Sequence, residues 1–197
     1  IPFLDLCMMK GRFPSTKARF CTEELKVYPV FEQMIDPLLV AGQMVSSWQG
    51  VRADESNARA GLPIRERVGG GLFIFRPILQ WTAAEVFAKH RRHGIEPNPL
   101  YRLGCGRVGC MPCIHARKAE IANIAARWPE EIERVAEWER LVSETCKRGL
   151  SSFFAHDKTP GEHQGRKDIP MPQIHEVAEW AKTSRGGRQF DLMAFMS

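Results

Sequence analysis

The chain has 197 residues, of which 44% are hydrophobic and 26% charged, a composition typical of a soluble globular protein. No apolar run approaches the roughly 20 residues that a membrane span needs, and the N-terminus lacks the basic start of a secretory signal, so a cytoplasmic protein is expected. The net charge of +5 suits an anionic partner, but scattered basic residues do not distinguish a nucleotide from a nucleic acid.

The N-terminal region contains a basic loop and a predicted helix start. The first residue is Ile1 rather than methionine, and we therefore expect a chain that was processed or cut from a longer protein. Thr22, followed by two glutamates, is typical of a helix N-terminus. Cys21 would then lie where the helix dipole favours a thiolate. The equally weighted alternative is a small buried core residue.

Two strands and a kinked helix follow. Residues 30–41 are apolar at helical spacing, but Pro37 should kink or split a helix there. Residues 44–48 and 72–78 have the character of short buried strands, the second preceded by the flexible triplet Gly69 to Gly71.

A polar segment comes directly after the first predicted strand. In an open α/β sheet, ligands bind at the carboxyl ends of the strands. Arg52, Ser56 and Arg59 could therefore clamp phosphate or sulfate oxygens, which match the guanidinium fork. Spacing alone favours the alternative, in which both arginines pair with Asp54 or Glu55 on the surface.

The second half of the chain is mainly helical. Thr82 and Glu85 form a capping box that opens an amphipathic helix, and Gly94 is a natural terminator. Further helices are predicted over residues 115–126, from Pro129 to about residue 146, and over residues 174–182. In the second of these, apolar residues at three- and four-residue steps predict one buried face, formed by Ile132, Val135, Trp138, Leu141 and Val142.

Three cysteines lie close together between these helical regions. Cys105, Cys110 and Cys113 follow the spacing C-x4-C-x2-C among three glycines and a proline, which permit the tight turns that convergence requires. Without a secretory signal, such a cysteine knuckle predicts a metal or cluster site rather than disulfides. Three cysteines with His115 would also make a structural zinc site.

These segments together resemble the phosphoadenylyl-sulfate (PAPS) reductase family of adenine nucleotide alpha hydrolases, particularly its phage and prophage members. Five segments carry the resemblance, in this order along the chain: Phe20-Cys21-Thr22 with Leu25, Lys26 and Pro29; Trp48 and Gly50 with Arg52, Glu55, Ser56 and Arg59; Pro77-Ile78 with Trp81, Thr82 and Glu85, leading to Leu100-Tyr101; Gly109-Cys110 with Cys113; and Phe153-Phe154 with residues 157–160.

The resemblance implies an α/β fold with an adenine nucleotide alpha hydrolase-like, Rossmann-like sheet. Residues 1–103 would be the rear part of the nucleotide-binding domain, and residues 104–197 a cysteine knuckle with a helical C-terminal region. The substrate would be an adenine nucleotide, either ATP or PAPS. Family members with the cysteine pair carry a four-iron, four-sulfur cluster, so the resemblance also implies this cofactor, with zinc as the alternative.

Residue by residue, the resemblance assigns two sets of side chains. Cys21, Cys110 and Cys113 match cluster ligands, and Cys105 matches a tighter arrangement seen in the phage and DNA-phosphorothioation branches. Four thiolates complete such a cluster, with His115 and Cys146 as reserve ligands. The substrate and anion-binding set is Arg52, Ser56, Arg59 and Lys26.

The sequence departs from the family pattern in three ways, and the catalytic residues stay unassigned. The pyrophosphate-binding Ser-Gly-Gly-x-Asp-Ser loop (PP-loop) and the first strand that carries it are absent. The tail from Gln189 to Ser197 lacks the nucleophilic cysteine of sulfonucleotide reductases, unless Cys146 or Cys7 replaces it. One branch has a tandem cysteine pair where this chain has Phe20-Cys21.

Three functional hypotheses follow. The first is an iron–sulfur enzyme of sulfur metabolism that reduces a sulfonucleotide or transfers nucleotide-activated sulfur. Its partners would be an adenine nucleotide and either nucleic acid or a sulfur-donor protein. The second is a zinc-bearing nucleic-acid-binding module, and the third an inactive or split scaffold that needs a partner chain with the PP-loop. No membrane partner is expected.

Overall fold

The computed structural model describes residues 2–154 and 171–184. These divide between two compact units: residues 2–25 with 98–154 and 171–184, and Lys26–Pro97. The first 25 residues thus belong with the C-terminal half, a grouping that differs from the predicted division into 1–103 and 104–197. The predicted division treats residues 1–103 as the rear part of a larger nucleotide-binding domain, and it stays a prediction. Residues 157–160 and the tail from Gln189 lie outside the described residues.

The described residues form a mixed α/β structure with short strands and longer C-terminal helices. The helices are, in chain order, α1 (Phe3–Lys10), α2 (Phe20–Thr22), α3 (Tyr28–Val30), α4 (Asp36–Val40), α5 (Asn57–Ala60), α6 (Ala83–Arg92), α7 (Pro99–Arg102), α8 (Lys118–Arg127), α9 (Pro129–Thr145) and α10 (Ile174–Ala181). The strands are β1 (Val45–Trp48), β2 (Arg65–Gly69) and β3 (Leu72–Phe75). None of the helices in the described ranges is long and apolar enough to cross a membrane.

Helix α9 is the centre of the first unit. It contacts α1, α8 and α10, and its buried positions Ile132, Val135 and Val142 recur at the three- and seven-residue steps of one helix face. The sequence predicted this face and the three C-terminal helices, with shifts of a few residues at their ends. Aromatic side chains extend the core, with the Phe3 and Trp138 ring centroids 5.4 Å apart.

A carboxylate occupies one position of the buried α9 face. Glu139 is 2% exposed, and its two carboxylate oxygens accept hydrogen bonds from the backbone N–H groups of Phe153 (2.7 Å) and Ile174 (2.8 Å). Burial raises the pKa of this carboxyl to about 7, although both hydrogen bonds lower it. Glu139 therefore joins α9 to residue 153 and to the first residue of α10.

The second unit contains a three-stranded sheet in the order β1-β3-β2. β1 and β3 run parallel, with Val45 opposite Leu72 and Trp48 opposite Phe75. β2 and β3 form an antiparallel hairpin whose turn uses positive φ angles at Gly69, Gly70 and Gly71. Both predicted strands are confirmed at their cores, and the predicted flexible glycines form this turn.

The stretch from Phe20 to Val40 is helical throughout, which differs from two predictions. It begins at Phe20 rather than at Thr22. It is also not split at Pro37, because the wide π-helical turns Glu23–Val27 and Phe31–Ile35 precede the segments that contain Pro29 and Pro37; the alternative, a kink at Pro37, stays a prediction. A wider turn leaves room for a proline ring and does not need the missing N–H, so the chain avoids a split.

The capping box predicted at the start of α6 is confirmed. The Thr82 hydroxyl accepts a hydrogen bond from the Glu85 N–H (3.3 Å), and the Glu85 carboxylate accepts one from the Thr82 N–H (2.7 Å). The helix ends at Arg92, and Gly94 follows with a φ of 63°. This reciprocal pairing is what a Thr-x-x-Glu sequence encodes locally.

Candidate functional site

The three clustered cysteines lie in a loop between α7 and α8 that hydrogen bonds hold from both ends. The Cys105 N–H donates to the Leu100 carbonyl (3.0 Å), and the Ala116 N–H donates to the Cys113 carbonyl (2.7 Å). From α9, the Arg134 guanidinium donates to the Met111 carbonyl at 3.0 Å. The turns predicted from the glycines and proline therefore exist, and an arginine of the central helix supports them.

The three thiols have different surroundings. Cys105 is buried, Cys113 is half-buried and Cys110 is exposed. Burial raises the pKa of the Cys105 thiol, and Glu120 adds to this effect. The Asn123 amide lies 3.6 Å from the Cys105 sulfur and opposes the shift.

Asn123 was not predicted from the sequence, although it organises the start of this loop. Its amide nitrogen also donates to the Leu103 carbonyl (3.0 Å), and its amide oxygen accepts from Arg127 (3.0 Å). The same side chain lies beside Gly104, whose φ of +83° suits glycine. A lone asparagine on a predicted helix gives no signal that it reaches back to a preceding loop.

Cys21 is the fourth predicted ligand and belongs to the same compact unit. It lies half-buried in α2, near the first-turn position expected for it. Its neighbour is Cys7, whose thiol pKa is raised to about 12 by burial and, to a lesser extent, by Cys21. Neither cysteine forms a disulfide.

The donor type suits a metal or cluster, since the four thiols are reduced and belong to one unit. Their arrangement does not close around a centre. Over residues 2–154 and 171–184, no group of three or more His, Cys, Asp or Glu side chains is placed to hold a metal ion. The ligand set Cys21, Cys105, Cys110 and Cys113 therefore stays a prediction.

The predicted anion clamp lies in the second unit, in the loop that follows β1. The Arg52 guanidinium is 2.8 Å from the Asp54 carboxylate and 3.7 Å from Glu55. Arg59 also forms an ion pair with Glu55. The alternative that spacing favoured is confirmed: both arginines are paired with acidic neighbours, and an incoming anion would have to compete with Glu55 for them.

The other two predicted anion-binding residues are Ser56 and Lys26. The Ser56 hydroxyl accepts a hydrogen bond from the Arg59 N–H (3.3 Å) and so caps α5. Lys26 is exposed in the π-helical turn Glu23–Val27. The loop that carries Arg52 is tied to the segment after β3, because the Ala53 N–H donates to the Leu79 carbonyl at 2.7 Å.

Arg76 is a second residue that was not predicted. It follows β3 and is 4% exposed. Its guanidinium donates to the Gln49 side chain (3.1 Å), the Pro63 carbonyl (2.8 Å) and the Glu66 carboxylate (2.9 Å). One arginine thus joins the ends of β1 and β3 to β2, at the edge of the sheet where the Arg52 loop begins. The sequence offered one signal for a buried, hydrogen-bonded arginine here: Arg76 lies inside the apolar run at residues 72–78.

Comparison with known proteins identifies the family. Residues 13–116 match the phosphoadenosine phosphosulfate reductase domain. This range includes all four predicted cluster cysteines and the Arg52 segment. The chain belongs to this family. The resemblance found in the sequence is thereby confirmed, together with a mixed α/β fold that carries a small sheet.

Relatives of the chain come from phage and bacteria. It is 56% identical over 199 residues to an uncharacterized 37.8 kDa protein of Escherichia phage 186, covering 98% of this chain and 60% of that protein. It is 39% identical over 158 residues to the adenosine 5'-phosphosulfate reductase of Allochromatium vinosum, covering 79% of this chain and 55% of that enzyme. A phosphoadenosine 5'-phosphosulfate reductase of Vibrio campbellii is 38% identical over 68 residues, 34% of this chain and 26% of that enzyme.

The chain spans only part of these longer relatives: 60% of the length of the phage 186 protein and 55% of the length of the Allochromatium vinosum enzyme. No solved structure matches the chain significantly. The phage relative confirms the predicted phage association, and the names of the bacterial relatives support the predicted link to sulfur metabolism.

Proposed function

We propose that this PAPS reductase family chain is part of an iron–sulfur enzyme that acts on an adenylylated or phosphosulfated nucleotide. The reaction would be sulfonucleotide reduction or nucleotide-activated sulfur transfer. The observation that carries this proposal is the family match over residues 13–116, together with relatives that are named adenosine 5'-phosphosulfate and phosphoadenosine 5'-phosphosulfate reductases. Nucleic acid, a sulfur-donor protein and a chain with the PP-loop are proposed partners, and a cytoplasmic location stays a prediction.

The cluster part of the proposal rests on donor chemistry. Cys21, Cys105, Cys110 and Cys113 would hold a four-iron, four-sulfur cluster, which would supply redox or sulfur chemistry. Cluster binding would have to draw these thiols together, because they form no metal-binding group in the described residues. The exposed Cys110 and half-buried Cys113 lie in a segment without long helices or strands, where such a movement is least costly.

The substrate part rests on two guanidinium groups that share one carboxylate. Arg52 and Arg59 both approach Glu55, so this side chain holds two anion-binding groups near one another in the loop after β1. A phosphate or sulfate group carries more charge and more acceptor oxygens than a carboxylate and could replace it. Glu55 would then act as a competitor that keeps both arginines in place before the substrate binds.

This arrangement predicts opposite effects for two substitutions. Arg59→Gln should weaken the binding of adenosine 5'-phosphosulfate by about tenfold, which corresponds to the loss of one charged hydrogen bond. Glu55→Gln should strengthen binding, because it removes the competing carboxylate. Isothermal titration of the full chain with this nucleotide measures both Kd values.

The matched control is Arg67→Gln, which makes the same charge change at an exposed arginine of β2. Its Kd should equal that of the wild-type chain. Equal weakening by Arg59→Gln and Arg67→Gln would show that only net charge matters, and weaker binding in Glu55→Gln would contradict the competition.

A further inference from the structure

The last turn of α6 and the residue after it concentrate positive charge on the second unit. Basic residues are scattered along most of the chain, but five of them are consecutive here, and we call them the basic turn: Lys89, His90, Arg91, Arg92 and His93. All except the half-buried His90 are exposed. Cations near a helix C-terminus complement the helix dipole, but like charges on neighbouring turns repel one another. Helix stability alone therefore does not account for a basic run of this length.

The cations of the basic turn are not neutralised by acidic side chains. Arginines elsewhere in this unit, including those of the loop after β1, form ion pairs. Across residues 2–154 and 171–184, no ion pair includes Lys89, Arg91 or Arg92. The one acidic residue of α6, Glu85, uses its carboxylate to accept hydrogen bonds from Thr82 in the capping box. The basic turn therefore presents three uncompensated positive charges to solvent.

A shallow groove with an aromatic wall borders the basic turn. Its lining residues recur at the spacing of one helix face and the residue just before the helix: Trp81, Glu85, Ala88, Lys89 and Arg92. The groove has a volume of about 400 Å³. The Lys89 ammonium lies 5.8 Å from the centroid of the half-buried Trp81 ring, a distance at which a cation is attracted to the ring face. The groove thus combines two cations with an aromatic surface.

We propose that the basic turn and the groove beside it bind single-stranded nucleic acid. Lys89, Arg91 and Arg92 would contact neighbouring phosphate groups, and the Trp81 ring would stack with an unpaired base. Proteins that bind single strands combine these two features, since the phosphates supply electrostatic affinity and every base offers a face for stacking. The proposal deepens the proposed function and rests on it in one respect, because it gives a binding surface to the nucleic-acid partner proposed there.

Other anions fit this surface less well. Successive residues point about 100° apart around a helix, so Arg91 and Arg92 diverge and a lone nucleotide phosphate would reach only part of the basic turn. A polymer with regularly repeated phosphates can contact all three cations. A duplex keeps its bases paired and stacked and has none to offer Trp81, and an acidic protein segment supplies carboxylates without a series of aromatic faces.

The test is the fluorescence anisotropy of a labelled oligothymidylate of about 20 nucleotides, long enough to span one such site, titrated with the full chain at several salt concentrations. Contacts with three phosphates predict that the logarithm of the binding constant falls with the logarithm of the salt concentration at a slope of roughly −2. Arg92→Gln should weaken binding by at least about fivefold and make this slope shallower, because one phosphate contact is lost. Trp81→Leu should weaken binding by about tenfold at an unchanged slope, because stacking involves no charge.

The matched control is Arg67→Gln, which makes the same charge change at an exposed arginine of β2 in the same unit. Its Kd and salt slope should equal those of the wild-type chain. No binding at low salt, or equal weakening by Arg67→Gln and Arg92→Gln, would overturn the proposal. Tighter binding of a duplex of the same length would overturn the chosen occupant, as would a polyglutamate peptide that displaces the oligonucleotide at equal or lower concentration. Arg92 is exposed, so Arg92→Gln decides the question even where Trp81→Leu disturbs α6.

These readouts separate the basic turn from the proposed enzymatic site. Oligonucleotide binding needs neither iron nor a sulfonucleotide, and Arg92→Gln should leave the Kd for adenosine 5'-phosphosulfate unchanged. A chain that binds the oligonucleotide through Arg92 but does not bind adenosine 5'-phosphosulfate would support the basic turn and contradict the proposed substrate. A chain that binds adenosine 5'-phosphosulfate but no oligonucleotide would overturn the role of the basic turn alone.

Discussion

Glu139 shows how one buried residue determines the pH response of the first unit. Its carboxylate is removed from water and accepts two backbone hydrogen bonds, from Phe153 and Ile174. Desolvation has the largest effect and, with a smaller contribution from the nearby Glu176 carboxylate, raises its pKa to about 7. Protonation of this group is therefore favoured in the folded state over a range in which the unfolded chain releases the proton.

The sign of the resulting pH dependence follows from this raised pKa. Between the ordinary value of 4.5 and about 7, the folded state binds more protons than the unfolded state, so the contribution of Glu139 to stability falls as the pH rises. The full effect is on the order of 3 kcal/mol. Urea unfolding at several pH values between 5 and 7.5 measures it.

Glu139→Gln removes this titration and should flatten the profile over the same pH range. The amide offers one acceptor oxygen for two N–H donors, so the variant should also be less stable than the wild-type chain at pH 5. An unchanged pH slope in Glu139→Gln would assign the dependence to other groups and contradict the account.

The candidate site also depends on residues that only the folded structure brings together. The spacing of Cys105, Cys110 and Cys113 was sufficient to predict a turning loop. The sequence could not show that Asn123 and Arg134, from the two following helices, hold this loop. The pairing of Arg52 and Arg59 with Glu55 was foreseeable, because all three lie within eight residues, at local helical spacing.

At the scale of elements, the sequence predicted best where a pattern is local. The capping box of α6 and the buried face of α9 are each encoded within one segment. Both were predicted from the sequence, and the structure contains both. β2 was missed because its sequence, Arg-Glu-Arg-Val-Gly, has little apolar alternation and its conformation depends on pairing with β3. The turns before Pro29 and Pro37 were missed for a related reason, since proline normally predicts a break.

Arg76 connects the three strands and offers a test at this scale. Its guanidinium reaches groups at Gln49, Pro63 and Glu66, and its side chain is 5% exposed. Arg76→Met should destabilise the second unit by about 2–4 kcal/mol, because buried hydrogen-bonding partners lose their donor. Hydrogen exchange at β2 and β3 amides reports on this unit separately from the helical one.

The control for this prediction is Arg67→Met, which removes an exposed arginine from β2. It should change exchange free energies by less than about 0.5 kcal/mol. Similar effects of Arg67→Met and Arg76→Met would show that the buried hydrogen bonds of Arg76 contribute little.

At the scale of the whole molecule, the family and the mixed α/β class could be predicted from motifs in their order along the chain. The grouping of the first 25 residues with the C-terminal half could not. The grouping depends on packing between segments that are far apart in the sequence, such as α1 against α9. The sequence of α1 contains no pattern that predicts this contact. This grouping has a functional consequence, because it puts Cys21 in the same unit as Cys105, Cys110 and Cys113.

The measurement that most directly tests the proposed iron–sulfur enzyme is the iron and acid-labile sulfide content of the full chain, purified without oxygen. We predict about four iron and four sulfide per chain, strongly reduced in Cys110→Ser and unchanged in Cys146→Ser. One zinc without sulfide, or equal iron content in the wild-type and Cys110→Ser proteins, would contradict the account.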